Sequence, residues 1–337
     1  MIEAHFGESS PYSLGVEEEL MILDAETLEP TAGVGVIVRE AAELDLPGTL
    51  KTELHASIVE LTTNVCADVA EATAALRELR AAAARIAADN GLAIAAAGAH
   101  PTAVLESLPV VQEDRYLQMI ETVGRAARRQ GVSGLHVHVG VESAEHCYER
   151  LESVLPWLPV VLALSVNSPF VDGATTGMLS NRVGILAELP RAGVPPEFAS
   201  YREWEQWIEH LVELGVIEDH TRVWWDIRPN PRLGTLEIRI ADQPTALERT
   251  ALITELLRTL VETAPPRRAD RGHYLQNRFD ASHLGLDAEL IHPDGDCLVS
   301  ARDLARELLG TEPPEPEAFS QLAASDVAAD LVARTVA

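Results

Sequence analysis

Acidic and imidazole side chains recur at a spacing of two within short apolar segments of this sequence. Glu17 and Glu19 occur in a segment whose alternate positions Leu14, Val16, Leu20 and Ile22 are apolar, and His136 and His138 alternate with leucine and valines. Because successive side chains of a β-strand point to opposite faces, each pair predicts two polar groups on one face of a sheet. Carboxylate oxygen suits Mg²⁺ or Mn²⁺, and imidazole is compatible with either ion. The spacing therefore indicates a metal-binding sheet face.

A third segment, residues 51–63, contributes Glu53 and Glu60. The two are seven positions apart, and an odd spacing would put them on opposite faces of an unbroken strand. If both serve one site, a bulge or turn must lie between them, and we place it near residues 55–57.

A fourth segment places a carboxylate beside a guanidinium. Glu237 and Arg239 share one face of a predicted strand whose other face is apolar, and Asp226 and Arg228 share a face of the strand before it. The intervening residues 229–232 (PNPR) could join the two strands as a hairpin. Such a pair could hold a metal ion next to phosphate oxygens. The alternative is an ion-pair ladder between exposed strands, which contributes well under about 1 kcal/mol.

The metal prediction depends on these groups occurring together. A solvated sheet face usually mixes charges of both signs, because opposite charges on neighbouring strands stabilise it. The predicted polar faces contain almost no lysine and gather Glu17, Glu19, Glu53, Glu60, His136, His138 and Glu237. Taken singly, each pair is more often a solvated strand or a structural histidine than a ligand pair.

Helices must cover the opposite face of this sheet. Their start and stop signals predict helices over residues 69–89, 114–130, 145–166 with a bend at its prolines, 201–214 and 244–263, with short helical pieces from 301 onward. Strands and helices alternate irregularly, which predicts an α+β fold with a largely antiparallel sheet, helices on one face and a charged cleft on the other. We expect one domain over residues 1–337, with a linker at 264–272 before a small C-terminal helical part.

The overall composition excludes other classes of function. The 337 residues contain 53 Asp and Glu against 26 Lys and Arg, a net charge of −27, which argues against a nucleic-acid partner. The longest apolar stretch, residues 155–166, contains two prolines and is too short to span a bilayer, and the N-terminus does not read as a signal peptide.

The cysteines indicate a reducing compartment. Cys66, Cys147 and Cys297 are odd in number, widely spaced and outside any Cys-x-x-Cys arrangement, so they predict neither a disulfide framework nor a cysteine zinc site. We expect them to pack as small apolar residues in a cytoplasmic protein.

Short motifs occur in a fixed order over about residues 12 to 310. They are residues 15–19 (GVEEE), 53–60 with Val65-Cys66 following, 134–140 (GLHVHVG), 168–169 (SP), 225–229 (WDIRP), 234–239 (GTLEIR), and Asn277-Arg278 with Gly285. Together they resemble the glutamate-cysteine ligase type 2, or carboxylate-amine ligase, family. That resemblance implies a fold related to glutamine synthetase with a curved antiparallel sheet, an ATP site and two or three divalent metal ions.

The resemblance also implies roles for individual residues. The metal ligands would be Glu19, Glu53 and Glu60 for one ion and Glu17, His136 and Glu237 for another. Arg239 and Arg228 would meet phosphate or the substrate carboxylate, and His138 would order substrate or support the ligands. Arg182, in a weaker match at residues 180–182 (SNR), is either a contact to the acidic substrate or a surface arginine beside a helix.

This chemistry has a physical rationale. A carboxylate is a poor electrophile and an ammonium has no lone pair, so the two do not condense in neutral water. Transfer of the γ-phosphoryl group of ATP to the carboxylate makes an acyl phosphate that a deprotonated amine can attack. Divalent ions and Arg239 would offset the charge as carboxylate and polyphosphate approach each other.

Several functions remain open at this stage. The first is an ATP-dependent ligase joining L-glutamate to L-cysteine, or to a different amine. The second is a metal-dependent hydrolase, and the third is a non-catalytic acidic face that binds cations or a partner. A Walker A loop is absent from the sequence, so ATP binding is not visible by that motif. The resemblance further implies a homodimer, and the stripe with Trp204 and Trp207 would pack on the sheet or on a second subunit.

Overall fold

The computed structural model describes residues 2–315, 317 and 324–335. Its strands are β1 (Leu14–Asp24), β2 (Gly48–Thr52), β3 (Ile58–Thr63), β4 (Leu92–Ala95), β5 (Leu135–Gly140), β6 (Phe170–Val171), β7 (Ala174–Thr175), β8 (Ala192–Gly193), β9 (Trp224–Trp225), β10 (Ile227–Asn230), β11 (Thr235–Ile238), β12 (Glu289–Ile291) and β13 (Leu298–Ser300). Its α-helices are α1 (Val34–Ala41), α2 (Val69–Asp89), α3 (Asp114–Val123), α4 (Arg125–Arg128), α5 (Ala144–Val154), α6 (Leu158–Ser165), α7 (Arg182–Leu186), α8 (Tyr201–Glu213), α9 (Leu247–Thr263), α10 (Arg271–Leu284), α11 (Ala301–Leu309) and α12 (Ala324–Thr335).

The main sheet has the strand order β10-β11-β5-β1-β3-β2, with β4 paired to the end of β1. Every pairing in it is antiparallel. Helices α2, α5 and α9 pack against one face of this sheet, and the main hydrophobic core lies between the two layers. The predicted α+β class, with a largely antiparallel sheet covered by helices on one face, is confirmed.

Alternation along β1 explains why one face is apolar and the other polar. Val16, Leu20 and Ile22 point toward the helices and are fully buried. Glu18 shares their face and is also fully buried, because Arg80 of α2 donates to both of its carboxylate oxygens at 2.7 Å. A buried carboxylate needs such a partner. Glu17 and Glu19 therefore point to the opposite face.

The bounds of the helices follow their end signals. Helix α2 has the predicted limits 69–89, and the side chain of its N-cap Asp68 accepts a hydrogen bond from the Glu71 amide. The helix predicted over 114–130 is instead broken at Gly124, whose φ of 71° lies in the left-handed region. The helix predicted over 145–166 bends through a 3₁₀ turn at Leu155–Trp157, as its prolines indicate.

The C-terminal helices contact the sheet layer directly. Residues 264–270 connect α9 to α10, whose Tyr274 and Arg278 bond to Asp226 beside the sheet. Helix α12 packs against β4, and its Thr335 hydroxyl accepts a hydrogen bond from the Ala96 amide. Within the described residues, no helix combines the length and the apolarity that crossing a membrane requires.

The structure also tests the predictions for the tryptophan stripe and for the cysteines. Trp204 is completely buried in a side cluster of the same chain that includes Phe198, Tyr201 and Trp225, so the stripe on α8 packs within the chain. Cys66 and Cys147 are buried as expected, whereas Cys297 is exposed on the loop between β12 and β13.

Candidate active site

Strand register gathers the predicted polar residues on one face of the sheet. Glu17 of β1 lies opposite His136 of β5, and Glu19 lies opposite Glu60 of β3. His138 in turn lies opposite Glu237 of β11. Residues 41 to 119 positions apart in the chain thus become neighbours, because antiparallel pairing sets their side chains side by side.

The tight connection between β2 and β3 brings Glu53 to Glu60. Glu53 directly follows β2, and the chain turns at residues 53–57 before β3 begins. The predicted interruption near 55–57 is confirmed. Burial, followed by the neighbouring carboxylates Glu60 and Glu19, raises the pKa of Glu53 well above its usual value. Lys51 Nζ lies 3.2 Å from Glu60 Oε1.

The centre of the face combines carboxylates with imidazoles. Glu17 Oε2 lies 3.2 Å from His136 Nδ1, and Glu17 Oε1 lies 3.5 Å from His138 Nε2. His136 Nε2 is 3.7 Å from Glu19 Oε1. Although burial opposes it, the adjacent His138 and His136 lower the pKa of Glu17 well below its usual value. His138 is held from its other nitrogen by the Thr235 hydroxyl at 3.0 Å.

Two arginines and an asparagine enclose Glu237. Arg228 donates to both carboxylate oxygens at 2.9 Å, Arg239 Nη1 donates to Oε1 at 2.6 Å, and Asn230 Nδ2 donates to Oε2 at 2.9 Å. A carboxylate has about four lone-pair positions, and all of those of Glu237 are used here. Burial opposes ionisation, but Arg228 and Arg239 lower its pKa well below the usual value.

Arg182 lies inside the protein at the start of α7 and is 1% exposed, so it is not the surface arginine considered as an alternative. Its Nη1 donates to the carbonyls of Arg239 and Ile240, and its Nε–H has no partner among the described residues. A Cβ at Gly134 would lie 2.0 Å from Arg182 Nη2, so only glycine permits this close approach.

A buried carboxylate fixes the start of α7. Asp242 accepts hydrogen bonds from the hydroxyls of Ser168 and Ser180, at 2.7 and 2.8 Å. Ser168 Oγ then accepts the amide of Arg182 at 3.1 Å. The motifs at 168–169 and 180–182 therefore meet at one point, and together they position the Arg182 backbone.

The side chains gathered on this face are of the types that bind a divalent ion. Glu19, Glu53 and Glu60 bring carboxylates together with one lysine among them, and oxygen ligands are what Mg²⁺ and Mn²⁺ prefer. Across residues 2–315, 317 and 324–335, no three such side chains already converge closely enough to hold a metal. Ion binding therefore requires the side chains to turn toward a common point. Glu237 in addition has to give up at least one arginine contact.

A cavity of about 410 Å³ opens beside these carboxylates, bordered by Glu19, Glu53 and Arg182. Its walls include residues that sequence reasoning missed: Arg115, Tyr116 and Met119 of α3, and Glu218, Asp219, Thr221 and Arg222 of the loop before β9. Neither segment has the strand period that identified the other residues. Only the packing of α3 and the loop over the sheet brings them to the site.

Asp226 does not share the face predicted for it with Arg228. Its carboxylate lies 2.7 Å from both Tyr274 Oη and Arg278 Nε of α10, whereas Arg228 pairs with Glu237. The chain breaks its strand geometry at Asp226, between β9 and β10, so the period of two does not continue through it.

Comparison with known proteins identifies the family of this chain. The model of glutamate-cysteine ligase family 2 matches residues 13–325. This chain belongs to that family. It is a ligase of the glutamate-cysteine ligase type, and the resemblance of its motifs is confirmed.

Curated relatives match over most of their length. Two proteins of Rubrobacter xylanophilus, named as candidate glutamate–cysteine ligases 2-3 and 2-1, are 39% and 40% identical over 311 residues, covering 92% and 90% of this chain and 85% and 82% of theirs. A candidate glutamate–cysteine ligase 2 of Herpetosiphon aurantiacus is 38% identical over 306 residues, covering 88% of this chain and 79% of its own.

Solved structures show the same fold at low identity. A glutamate–cysteine ligase of Francisella tularensis, solved with AMP, superposes with a TM-score of 0.63 at 13% identity, over 97% of this chain and 84% of that one. A bifunctional glutathione synthetase of Pasteurella multocida gives a TM-score of 0.63 at 16% identity over 96% of this chain, which spans about half (48%) of that protein. The glutamine synthetase-like fold class is confirmed.

Proposed function

We propose that this ligase uses ATP to join the γ-carboxylate of L-glutamate to an amine through an acyl phosphate, releasing ADP and phosphate. L-Cysteine is the acceptor named for the curated relatives. The observation that carries the proposal is a single sheet face with clustered carboxylates at one end and a carboxylate enclosed by arginines at the other. Condensing a carboxylate with help from a polyphosphate needs both cations and fixed phosphate-binding groups.

Six side chains are proposed to hold two divalent ions: Glu19, Glu53 and Glu60 the first, and Glu17, His136 and Glu237 the second. Bound Mg²⁺ or Mn²⁺ would supply charge neutralisation between phosphate oxygens and the substrate carboxylate. The register of β1, β3, β5 and β11, which sets five of these six side chains on one face of the sheet, supports the proposal. The hydrogen bond from Thr235 orients His138, so that its Nε2 faces Glu17 and supports that ligand.

The arginines have separable roles in this proposal. Arg239 makes a single contact to Glu237 and lies 3.4 Å from His136, so its remaining donors are available to phosphate oxygens. Arg228 donates two hydrogen bonds to Glu237 and another to the Thr221 carbonyl, so we propose that it orients Glu237. Arg182, whose Nε–H is unpartnered, would bind a substrate carboxylate.

In the second step, the amine nitrogen attacks the acyl carbon. The C–N bond forms as the bond from that carbon to the phosphate oxygen breaks, phosphate leaves with the electron pair, and the surplus proton passes to water. The protein's own contribution is to hold the two reactants together and to exclude competing water.

The test is an ADP-release assay with ATP, Mg²⁺, L-glutamate and single amines, with the product identified by mass spectrometry. We expect ADP release to need both glutamate and an amine and to stop when EDTA is added. Turnover of ATP that is undiminished by EDTA would overturn the metal assignment. Release of ADP that is indifferent to amines, or hydrolysis without nucleotide, would favour the hydrolase alternative.

The proposal also includes a cytoplasmic location, which the cysteine pattern indicates, and a homodimer, which the family resemblance implies. Sedimentation at micromolar protein concentration tests the dimer, and a monomer as the only species would remove it.

A further inference from the structure

Polar and apolar side chains share the lining of the cavity beside the carboxylates, and we call the apolar ones its apolar wall. Leu54, Ile58, Val132, Leu186 and Leu189 line it together with Met119 and Trp224. A second cavity of about 260 Å³ shares Met119 and Trp224 with the first and continues outward. Apolar walls with a few placed polar groups are typical of small-molecule sites. An acceptor with an apolar body would bury that body here.

The cations of the inner cavity are almost all engaged. Arg115 Nε lies 2.9 Å from Glu113, and Arg222 is paired with Glu218. Among the described residues, Arg182 is the arginine of this cavity whose hydrogen bonds go only to backbone carbonyls and whose Nε–H is unpartnered. The inner cavity therefore offers one guanidinium to a free carboxylate.

The proposed donor substrate already requires that guanidinium. L-Glutamate has two carboxylates: the γ-carboxylate is activated, and the α-carboxylate needs a cation, which Arg182 supplies. An α-amino acid acceptor would bring another carboxylate, two bonds from its nitrogen, into the same inner cavity. Arg191 cannot serve it, because it lines the outer cavity and donates to the Arg222 carbonyl. Asp219, which also lines the inner cavity, would repel such a carboxylate and favour a cationic amine.

We propose that the acceptor of this ligase is a primary amine without an α-carboxylate and with an apolar or aromatic body, bound between Met119 and the apolar wall of the inner cavity. This inference rests on the proposed function. It goes beyond that function by naming the class of amine, which differs from the amino acid acceptor named for the relatives.

Matched pairs of amines separate the two ideas. ADP release is measured with L-cysteine against cysteamine and with L-phenylalanine against 2-phenylethylamine, each pair differing only by the carboxylate. We expect kcat/KM to be at least about 10-fold higher for the decarboxylated member of each pair, and higher for 2-phenylethylamine than for cysteamine. Amino acids favoured within both pairs would overturn the inference and leave the ligase function standing. No dependence on any amine would instead overturn the proposed function.

Two variants of helix α3 test whether the acceptor binds beside Met119. Met119→Trp narrows both cavities, so the ratio of kcat/KM for 2-phenylethylamine to that for cysteamine should fall at least about 5-fold. Leu117→Trp is the control, because Leu117 lies on the same helix, is 40% exposed and lines neither cavity. An unchanged ratio in Met119→Trp, in a protein that melts like the control, would place the acceptor elsewhere.

Discussion

The carboxylates at the two ends of the candidate site have opposite electrostatic surroundings. Around Glu53, three carboxylates lie close together, Lys51 pairs with Glu60 alone, and the pKa of Glu53 is raised. Around Glu237, two guanidiniums and an amide fill every acceptor position, and the pKa is lowered. One end has an excess of negative charge and the other is neutralised by the protein itself.

This difference indicates where the divalent ion and the phosphate groups of ATP would bind. An uncompensated group of carboxylates is unfavourable in the folded chain and becomes favourable when a divalent ion binds, since repulsion is replaced by attraction. An arginine held to a carboxylate by one donor keeps its other donors for phosphate oxygens. The following substitutions test that division.

The largest effect is expected from Glu53→Gln. Removing one ligand should lower ligase turnover at least about 1,000-fold, or about 4 kcal/mol in activation free energy. Without metal the Tm should be unchanged or higher, because a repulsive charge is lost, and Mg²⁺ should raise the Tm of the parent protein more than that of the variant. Glu78→Gln, an exposed acid on α2, is the control. A fully active Glu53→Gln would remove this end of the face from the metal site.

Glu237→Gln should show the opposite stability effect. Two largely buried guanidiniums lose their counter-ion, and breaking a buried pair in this way costs about 3 kcal/mol or more. We expect a Tm lower by about 5–10 °C, measured without metal. If Glu237→Gln and Glu53→Gln instead moved the metal-free Tm in the same direction, the two ends would not differ in the way described.

Sequence patterns predict the faces of this site better than its contacts. The period of two identifies Glu17, Glu19, His136 and Glu237 as sheet-face residues, because strand geometry is local. It also predicts that Glu18 points away from them. It does not reveal that Arg80, 62 positions away, neutralises Glu18, since that pairing depends on how α2 packs.

Tertiary packing likewise decides what the sequence leaves open. Whether Arg182 is at the surface or inside depends on Gly134, which leaves room for its guanidinium, and on Asp242, which organises the start of α7. The period fails at Asp226, where the backbone leaves the strand to meet α10. The walls of the cavity come from α3 and a loop, and neither segment has a pattern that indicates chemistry.

Substitutions of the two arginines separate phosphate binding from orientation. Arg239→Lys keeps the charge but loses the planar fork, so turnover should fall about 30-fold, or about 2 kcal/mol, with little change in Tm. Arg228→Lys should mainly lower the Tm, because it loses the two-donor grip on Glu237 and the bonds to the Thr221 and Val223 carbonyls. Near-normal turnover in Arg239→Lys would move the phosphate site away from β11.

The smallest effect is expected from Lys51→Gln, at the end with excess negative charge. Lys51 Nζ lies 3.2 Å from Glu60 Oε1 and 2.9 Å from Thr62 Oγ1, and its side chain is 48% exposed, so the pair contributes less than about 1 kcal/mol. In the proposed site this lysine competes with the metal ion for Glu60. Removing it should lower the Mg²⁺ concentration that half-saturates the thermal shift by about 2- to 5-fold, and salt should reduce the difference by screening. A weaker response to Mg²⁺ in Lys51→Gln would show the reverse, that Lys51 orients Glu60 for the ion and is part of the site.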